Sequence, residues 1–215
     1  MERGIVLENV PYIAIEGPIG VGKTTLARAI ARNFNFLCYE EVVEDHPFLK
    51  AFYENIEQTA FQTEMFFLTD RFQQLEHIKQ HYDSGQPIVA DYHVFKNKLF
   101  AKQTLKPHHY EKFSKVYEIL TEGLPQPNMV IYLKASITVL LERINKRNRA
   151  AEEHLAIDYL VRLAKAYEEW MPAFTQSHPD VTVLTLETDH LNLVDNPNDL
   201  SQTLQMIQES LKQGV

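Results

Sequence analysis

The nine residues Gly17-Pro18-Ile19-Gly20-Val21-Gly22-Lys23-Thr24-Thr25 have the types and spacing to do phosphate chemistry. They fit G-x-x-x-x-G-K-[ST], the phosphate-binding P-loop. Glycines let the backbone turn its N–H groups inward as an anion cradle. Lys23 has the reach for β- and γ-phosphates, and the Thr24 hydroxyl can ligate Mg²⁺. The flanks are those the chemistry needs. Tyr12-Ile13-Ala14-Ile15-Glu16 reads as a strand, and Leu26-Ala27-Arg28-Ala29-Ile30-Ala31 as a helix whose N-terminal dipole faces the anion. A nucleoside triphosphate is the expected ligand.

Three further groups of residues can act beside that cradle. Asp91 closes the apolar run Pro87-Ile88-Val89-Ala90, a place from which a carboxylate can hold Mg²⁺ directly or through water. Glu41 stands at the end of another strand-like run and can take a proton from an acceptor hydroxyl, although alone it reads as a solvated acidic edge. Arg143, Lys146, Arg147 and Arg149 put four cations into seven residues of an otherwise acidic chain. That density suits a lid over a triphosphate, with Arg143 neutralising transition-state charge and Arg147 and Arg149 holding phosphate. His77 and His81 lack the H-E-x-x-H pattern of a zinc site, and His108-His109 lacks partners, so all four read as surface residues.

The elements that must position these groups follow from the apolar runs. Tyr12–Glu16, Phe36–Glu41, Pro87–Asp91, Asn128–Lys134 and Val181–Leu186 read as five strands separated by helical patterns. This predicts an α/β fold: a five-stranded parallel sheet flanked by helices, with an arginine-rich lid at about 143–155. One helix is expected over Phe61–Tyr82, where Phe61, Met65, Leu68, Phe72 and Leu75 recur at helical spacing. A last one is expected with Leu200, Leu204, Ile207 and Leu211 on one face. In a parallel sheet, ligands gather at the carboxyl ends of strands, which brings the P-loop, Glu41 and Asp91 to one cleft.

The 215 residues suit a single domain spanning 1–215, and 45% hydrophobic with 23% charged content is ordinary for a globular protein. A net charge of −8 argues against a nucleic-acid partner. No apolar run approaches the roughly 18 residues of a membrane span and no leader pattern opens the chain, so no membrane partner and a cytoplasmic location are expected. The lone Cys38 lies in a strand-like run and reads as a buried thiol.

The spaced combination of motifs resembles the deoxynucleoside kinase family, nearest its bacterial deoxyguanosine-phosphorylating branch. The likeness covers Glu16 to Thr25, the acidic run from Glu41 to Pro47-Phe48-Leu49, and Phe52-Tyr53. It continues through Glu64 to Leu68, Ala90-Asp91-Tyr92-His93, and the lid through Arg147-Asn148-Arg149 to Glu152. The resemblance implies the P-loop kinase fold, ATP as phosphoryl donor, Mg²⁺, transfer to a deoxynucleoside 5′-hydroxyl, and a homodimer. It assigns Glu41 as base and Asp91 to the metal, and it places Tyr53 and Glu152 on the sugar 3′-hydroxyl.

Two departures from the family pattern bear on chemistry. The family's D/E-R-S motif is Asp91-Tyr92-His93, so the arginine that steadies the base is absent, and Lys96 or a lid arginine must supply that charge. The family's base-reading glutamine, counted without gaps from Tyr53, is Glu64, with Arg71 seven residues later on the same helix face. A register using Gln62 instead would put Arg71 on the opposite side. A carboxylate only accepts hydrogen bonds, so Glu64 suits guanine's N1–H and 2-amino donors, while Arg71 suits O6 and N7. Asn97 falls near a base-contacting position, and Phe100 is placed to stack on a purine. These residues predict an ATP-dependent deoxynucleoside kinase preferring purines, deoxyguanosine first. A monophosphate kinase of the same fold would need more cations for its acceptor. A nucleotide-sensing module would have no use for the intact Lys23, Thr24, Asp91 and Glu41.

Overall fold

A computed structural model describes residues 10–41 and 47–214. Five parallel strands form one sheet in the order β2-β3-β1-β4-β5: β1 is Tyr12–Glu16, β2 Leu37–Tyr39, β3 Ile88–Ala90, β4 Met129–Lys134 and β5 Thr182–Glu187. The central strands β1 and β3 are buried throughout, as expected of apolar runs covered on both faces. Alternation along β1 sorts its side chains. Ile13 and Ile15 point into a core with α1 (Lys23–Phe34), α6 (Ile137–Arg147) and α8 (Pro197–Gly214). Tyr12 meets α3 (Ile56–Asp83) and α5 (Pro107–Thr121) on the other face. Ala14 packs there against α7 (Ile157–Ser177) and against Leu99 of α4 (Phe95–Thr104). A short helix α2 (Leu49–Glu54) and a 3₁₀ turn at Ala150–Glu152 complete the elements around the carboxyl ends of the strands.

Several boundaries differ from those read off the sequence, for physical reasons. The second strand stops at Tyr39 because β3, its neighbour among the described residues, supplies just Ile88–Ala90 to pair with. Glu40 and Glu41 therefore leave the ladder. Val42 to His46 of the acidic run lie outside the described residues. As an edge strand, β2 also leaves Cys38 exposed rather than buried, which corrects the expectation for its thiol. The long helix α3 begins at Ile56, ahead of Phe61, because the Asn55 side chain caps it by accepting the Gln58 N–H at 3.3 Å. No helix of the described residues is long and apolar enough to cross a membrane.

Candidate active site

The carboxyl ends of the strands open into a cleft of about 770 Å³. One end is the loop between β1 and α1. Gly17 and Gly20 are required there by contact as well as by dihedral angle: at φ of 145° and 83°, an added Cβ would lie 2.5 Å from the Leu133 carbonyl oxygen and 2.9 Å from that of Leu140. Ile19, Gly20, Val21, Gly22, Lys23, Thr24 and Thr25 line the cleft. Gly17 and Pro18 lie behind it, and their carbonyls accept from Lys23 Nζ at 2.8 and 3.0 Å. An ammonium has three protons, so the third can point to an anion above the loop. Burial first, then the neighbouring Lys96, bring Lys23 down to about 8.

Behind the loop the acids meet. The Thr24 hydroxyl donates to Asp91 Oδ2, and Asp91 Oδ1 accepts the Glu41 backbone N–H at 2.7 Å. Asp91 is buried, and its carboxyl is raised by burial, with Glu41 adding to the rise and the Thr24 bond opposing it. Among the described residues no three His, Cys, Asp or Glu side chains cluster as a metal cage. Mg²⁺ does not need one, because it is held through one or two protein oxygens plus substrate phosphates. The hydroxyl of Thr24 beside the carboxylate of Asp91 fits that donor set.

Glu41 is the centre of the charge arrangement. Its Oε1 accepts from Arg71 through Nε at 3.0 Å and also through Nη2, while Oε2 accepts from Lys96 Nζ at 2.7 Å. Burial alone would raise this carboxyl, but Arg71 and Lys96 outweigh it and hold it far below the usual carboxylate range. The position that carries arginine in the D/E-R-S motif is Tyr92, which is fully buried and donates its hydroxyl to Gln74 on α3. Arg71 differs here from its expected role. Its Nε–Nη2 edge faces Glu41, a contact beyond the expected one to a base, and among the described residues Nη1 carries no hydrogen bond. A guanidinium presents two edges, so one can hold Glu41 while the other addresses a ligand.

The acceptor end of the cleft is built by α2, α3, α4 and the 3₁₀ turn. Tyr53, Glu64, Arg71, Phe100 and Glu152 all line it. Glu64, Phe67 and Arg71 share one face of α3 at spacings of three and four. Glu64 is buried, its Oε1 accepts from the Thr104 hydroxyl at 2.9 Å, and burial raises its carboxyl to about 7 against the pull of Thr104 and Arg71. Burial, then the nearby Glu152, push the Tyr53 phenol upward. Asn97 is a correction: it is completely buried on α4 and does not line the cleft, because the first turn of that helix points it into the interior.

The arginines expected to form a lid over a triphosphate take different partners. Arg143 lines the cleft, yet four of its N–H groups are engaged by protein. It donates through Nη1 to Val21 O at 3.1 Å and Thr188 Oγ1 at 2.9 Å, and through Nη2 to Thr188 O at 2.6 Å and Leu191 O at 3.3 Å. It thus ties α6 to the P-loop and to the loop after β5, which makes it an organiser of the phosphate end. Arg147 Nη2 donates to both oxygens of Glu152, at 2.6 Å for Oε2, and Arg149 Nη1 lies 4.0 Å from Glu152 Oε1.

Sequence reasoning missed other contributors. Glu16, fully buried, accepts the His93 N–H at 2.7 Å and the Tyr167 hydroxyl at 2.9 Å, pinning the turn that carries Asp91 to β1 and α7. A strand of apolar residues ending in a glutamate was the available signal. Phe67, Thr63, Tyr159 and the segment Leu191–Asp195 also line the cleft, and nothing in the local pattern of that last segment marks it.

A sequence model of the deoxynucleoside kinase family matches residues 13–212. The chain belongs to the deoxynucleoside kinase family. The kinase is 45% identical over 204 residues to the deoxyguanosine kinase of Bacillus subtilis, across 94% of this chain and 99% of the relative. It is 32% identical to the deoxyadenosine kinase of Dictyostelium discoideum, across 94% of this chain and 80% of that one. Among solved structures, the deoxyadenosine kinase of M. mycoides with bound dCTP superposes with a TM-score of 0.76 at 24% identity, covering 92% of the kinase and 99% of its own chain, which speaks to the fold. The kinase is thus a phosphotransferase built on the P-loop kinase fold, with nucleosides and nucleotides as its substrates.

Proposed function

We propose that this kinase transfers the γ-phosphoryl group of ATP to the 5′-hydroxyl of deoxyguanosine. The observation that carries the reading is the buried Glu64 carboxylate at the acceptor end of the same cleft whose other end is the P-loop. Guanine presents N1–H and a 2-amino group side by side, both donors, to a group that accepts. Adenine and cytosine present a ring nitrogen lone pair there. Each buried polar group left unpaired costs roughly 1–3 kcal/mol, enough for tenfold or greater discrimination. The deoxyguanosine kinase of Bacillus subtilis, at 45% identity, supports the same choice.

In this reading the 5′-oxygen attacks the γ-phosphorus, the bond to the β-phosphate oxygen breaks, and ADP leaves. Glu41, held by Arg71 and Lys96, accepts the hydrogen bond from the 5′-hydroxyl and aims its lone pair. A carboxylate so acidified is a poor proton acceptor at the outset, so the hydroxyl proton moves to it late, as the new P–O bond forms. Lys23 and the loop amides neutralise charge on the transferring group. Thr24 and Asp91 would hold Mg²⁺, which supplies charge neutralisation and orients the triphosphate when bound. Tyr53 and Glu152 bind the sugar 3′-hydroxyl, Phe100 packs on the base, and Arg147 and Arg149 belong to the lid over residues 143–155. We carry a single domain, a homodimer and a cytoplasmic location as parts of the same reading; light scattering tests the oligomer.

Turnover across the four deoxynucleosides tests the assignment, with wild type and Glu64→Gln side by side. Wild type should rank deoxyguanosine first, and the substitution should erode that rank. An unchanged ranking would mean that the base is read elsewhere.

A further inference from the structure

Glu64 and Thr104 come from different helices and meet at the wall of the acceptor end. Glu64 is 2% exposed and lines the cleft from α3, whereas Thr104 is the last residue of α4 and lies behind that wall. The Thr104 hydroxyl has two acceptors in range: Glu64 Oε1 at 2.9 Å and the Phe100 carbonyl, four residues back on its own helix, at 3.0 Å. It has one proton. A threonine in a helix commonly gives that proton to the carbonyl one turn back. A carboxylate is the stronger acceptor, because the bond to it is charge-assisted. With Glu64 ionised, the proton therefore goes to Oε1 and the Phe100 carbonyl loses the competition.

The consequence is geometric. Oε1 is fixed at one lone pair, while Oε2 carries no hydrogen bond among the described residues. The carboxylate is thereby turned so that it offers acceptors to a ligand in the cleft. We propose that Thr104, which does not line the cleft, is a specificity-determining positioning residue: its hydroxyl sets the plane of the Glu64 carboxylate and so its match to the adjacent N1–H and 2-amino donors of guanine. This rests on the reading of Glu64 as the base reader. Without the hydroxyl the Glu64 carboxyl loses a bond that lowers it, so the assays are run well above pH 7, where it stays ionised. It can then rotate about its terminal bond, since among the described residues no other hydrogen bond holds it and Arg71 turns its Nε–Nη2 edge to Glu41. A rotated carboxylate meets one donor of guanine and misses the other.

Deoxyinosine, which lacks only the 2-amino group, isolates that second contact. We measure kcat and KM for deoxyguanosine, deoxyinosine and deoxyadenosine with wild type, Thr104→Val, Thr104→Ser and Glu64→Gln. Thr104→Val should lower the deoxyguanosine-to-deoxyinosine ratio of kcat/KM about tenfold, the worth of one hydrogen bond to a charged group, with the loss carried mainly by KM. Thr104→Ser, which keeps the hydroxyl, should restore the ratio. If Thr104→Val does not fold, Thr104→Ala carries the same expectation. Ratios within about twofold of wild type in Thr104→Val, while Glu64→Gln lowers them, overturn the role of Thr104 alone. An equal loss on all three nucleosides overturns it too, as the mark of a merely structural residue. No change of ratio in Glu64→Gln removes the base reading itself and this inference with it.

Discussion

At the residue scale the chemistry turns on how one carboxylate is held. Glu41 is held, half-buried, between two cations, Arg71 on one oxygen and Lys96 on the other, and Lys96 is itself only 2% exposed. Three charges share this wall of the cleft, and Glu41 is the counter-charge that both cations need. Glu41→Gln should lower kcat by about 10²–10⁴-fold, the usual weight of a positioned base, and, by leaving Arg71 and Lys96 without their counter-charge, cost stability on the order of 3 kcal/mol. Lys96→Met should act differently. It leaves Glu41 still paired with Arg71, so it should cost turnover and less stability than Glu41→Gln. Paired urea denaturation and steady-state kinetics separate the two variants. Wild-type stability in Lys96→Met would mean that Lys96 is not bound into the charge cluster as the 2.7 Å contact indicates.

At the element scale the loops are held by shared anchors rather than by their own rigidity. Arg143 reaches from α6 to the Val21 carbonyl in the P-loop and to Thr188 and Leu191 after β5, four acceptors in three directions. A planar guanidinium can serve such a spread, whereas the compact ammonium of lysine cannot. Arg143→Lys should therefore weaken ATP binding about tenfold or more while leaving deoxynucleoside binding within about twofold. Isothermal titration of each ligand checks this. If deoxynucleoside binding weakened in parallel, Arg143 would be organising the whole cleft and not its phosphate end. Glu16 plays the corresponding part at the carboxyl end of β1, where that strand, the turn bearing Asp91, and α7 meet on one buried carboxylate.

At the scale of the whole molecule, the two key acids make opposite contributions to stability with pH. Glu41 has its carboxyl lowered on folding, so its contribution is present above the unfolded value near 4.5 and is lost as pH falls toward the folded one. Glu64 has its carboxyl raised from 4.5 to about 7, so its contribution is complete below 4.5 and is lost as pH rises through about 7. Between pH 5 and 8 the wild type should therefore lose stability on the order of 2–3 kcal/mol that Glu64→Gln does not lose. Urea titrations at the two pH values decide it. Parallel curves for the two proteins would show that Glu64 is ionised at no cost in the fold. Because guanine is read by the ionised form, deoxyguanosine binding below pH 7 should also release a proton.

Much of this site is legible along the chain, because its parts are local. The P-loop is a run of adjacent residues with the strand before it and the helix after it, and Asp91 ends an apolar run whose parallel pairing sends its carboxyl end to the same edge as Gly17. The shared face of Glu64 and Arg71 follows from helical periodicity alone. Periodicity does not say what a face meets. Arg71 shares its helix face with Glu64 but gives one edge of its guanidinium to Glu41, thirty residues away in sequence, and Arg143 spends its donors on carbonyls from two distant loops. Asn97 turned inward and Cys38 outward for the same kind of reason, a helix rotation in one case and an unpaired sheet edge in the other. Residue types and their local spacing determined the fold, the cradle and the acids. Which cation neutralises which acid was decided only when the helices packed, because burial leaves a charge to pair with whatever lies within reach across the fold.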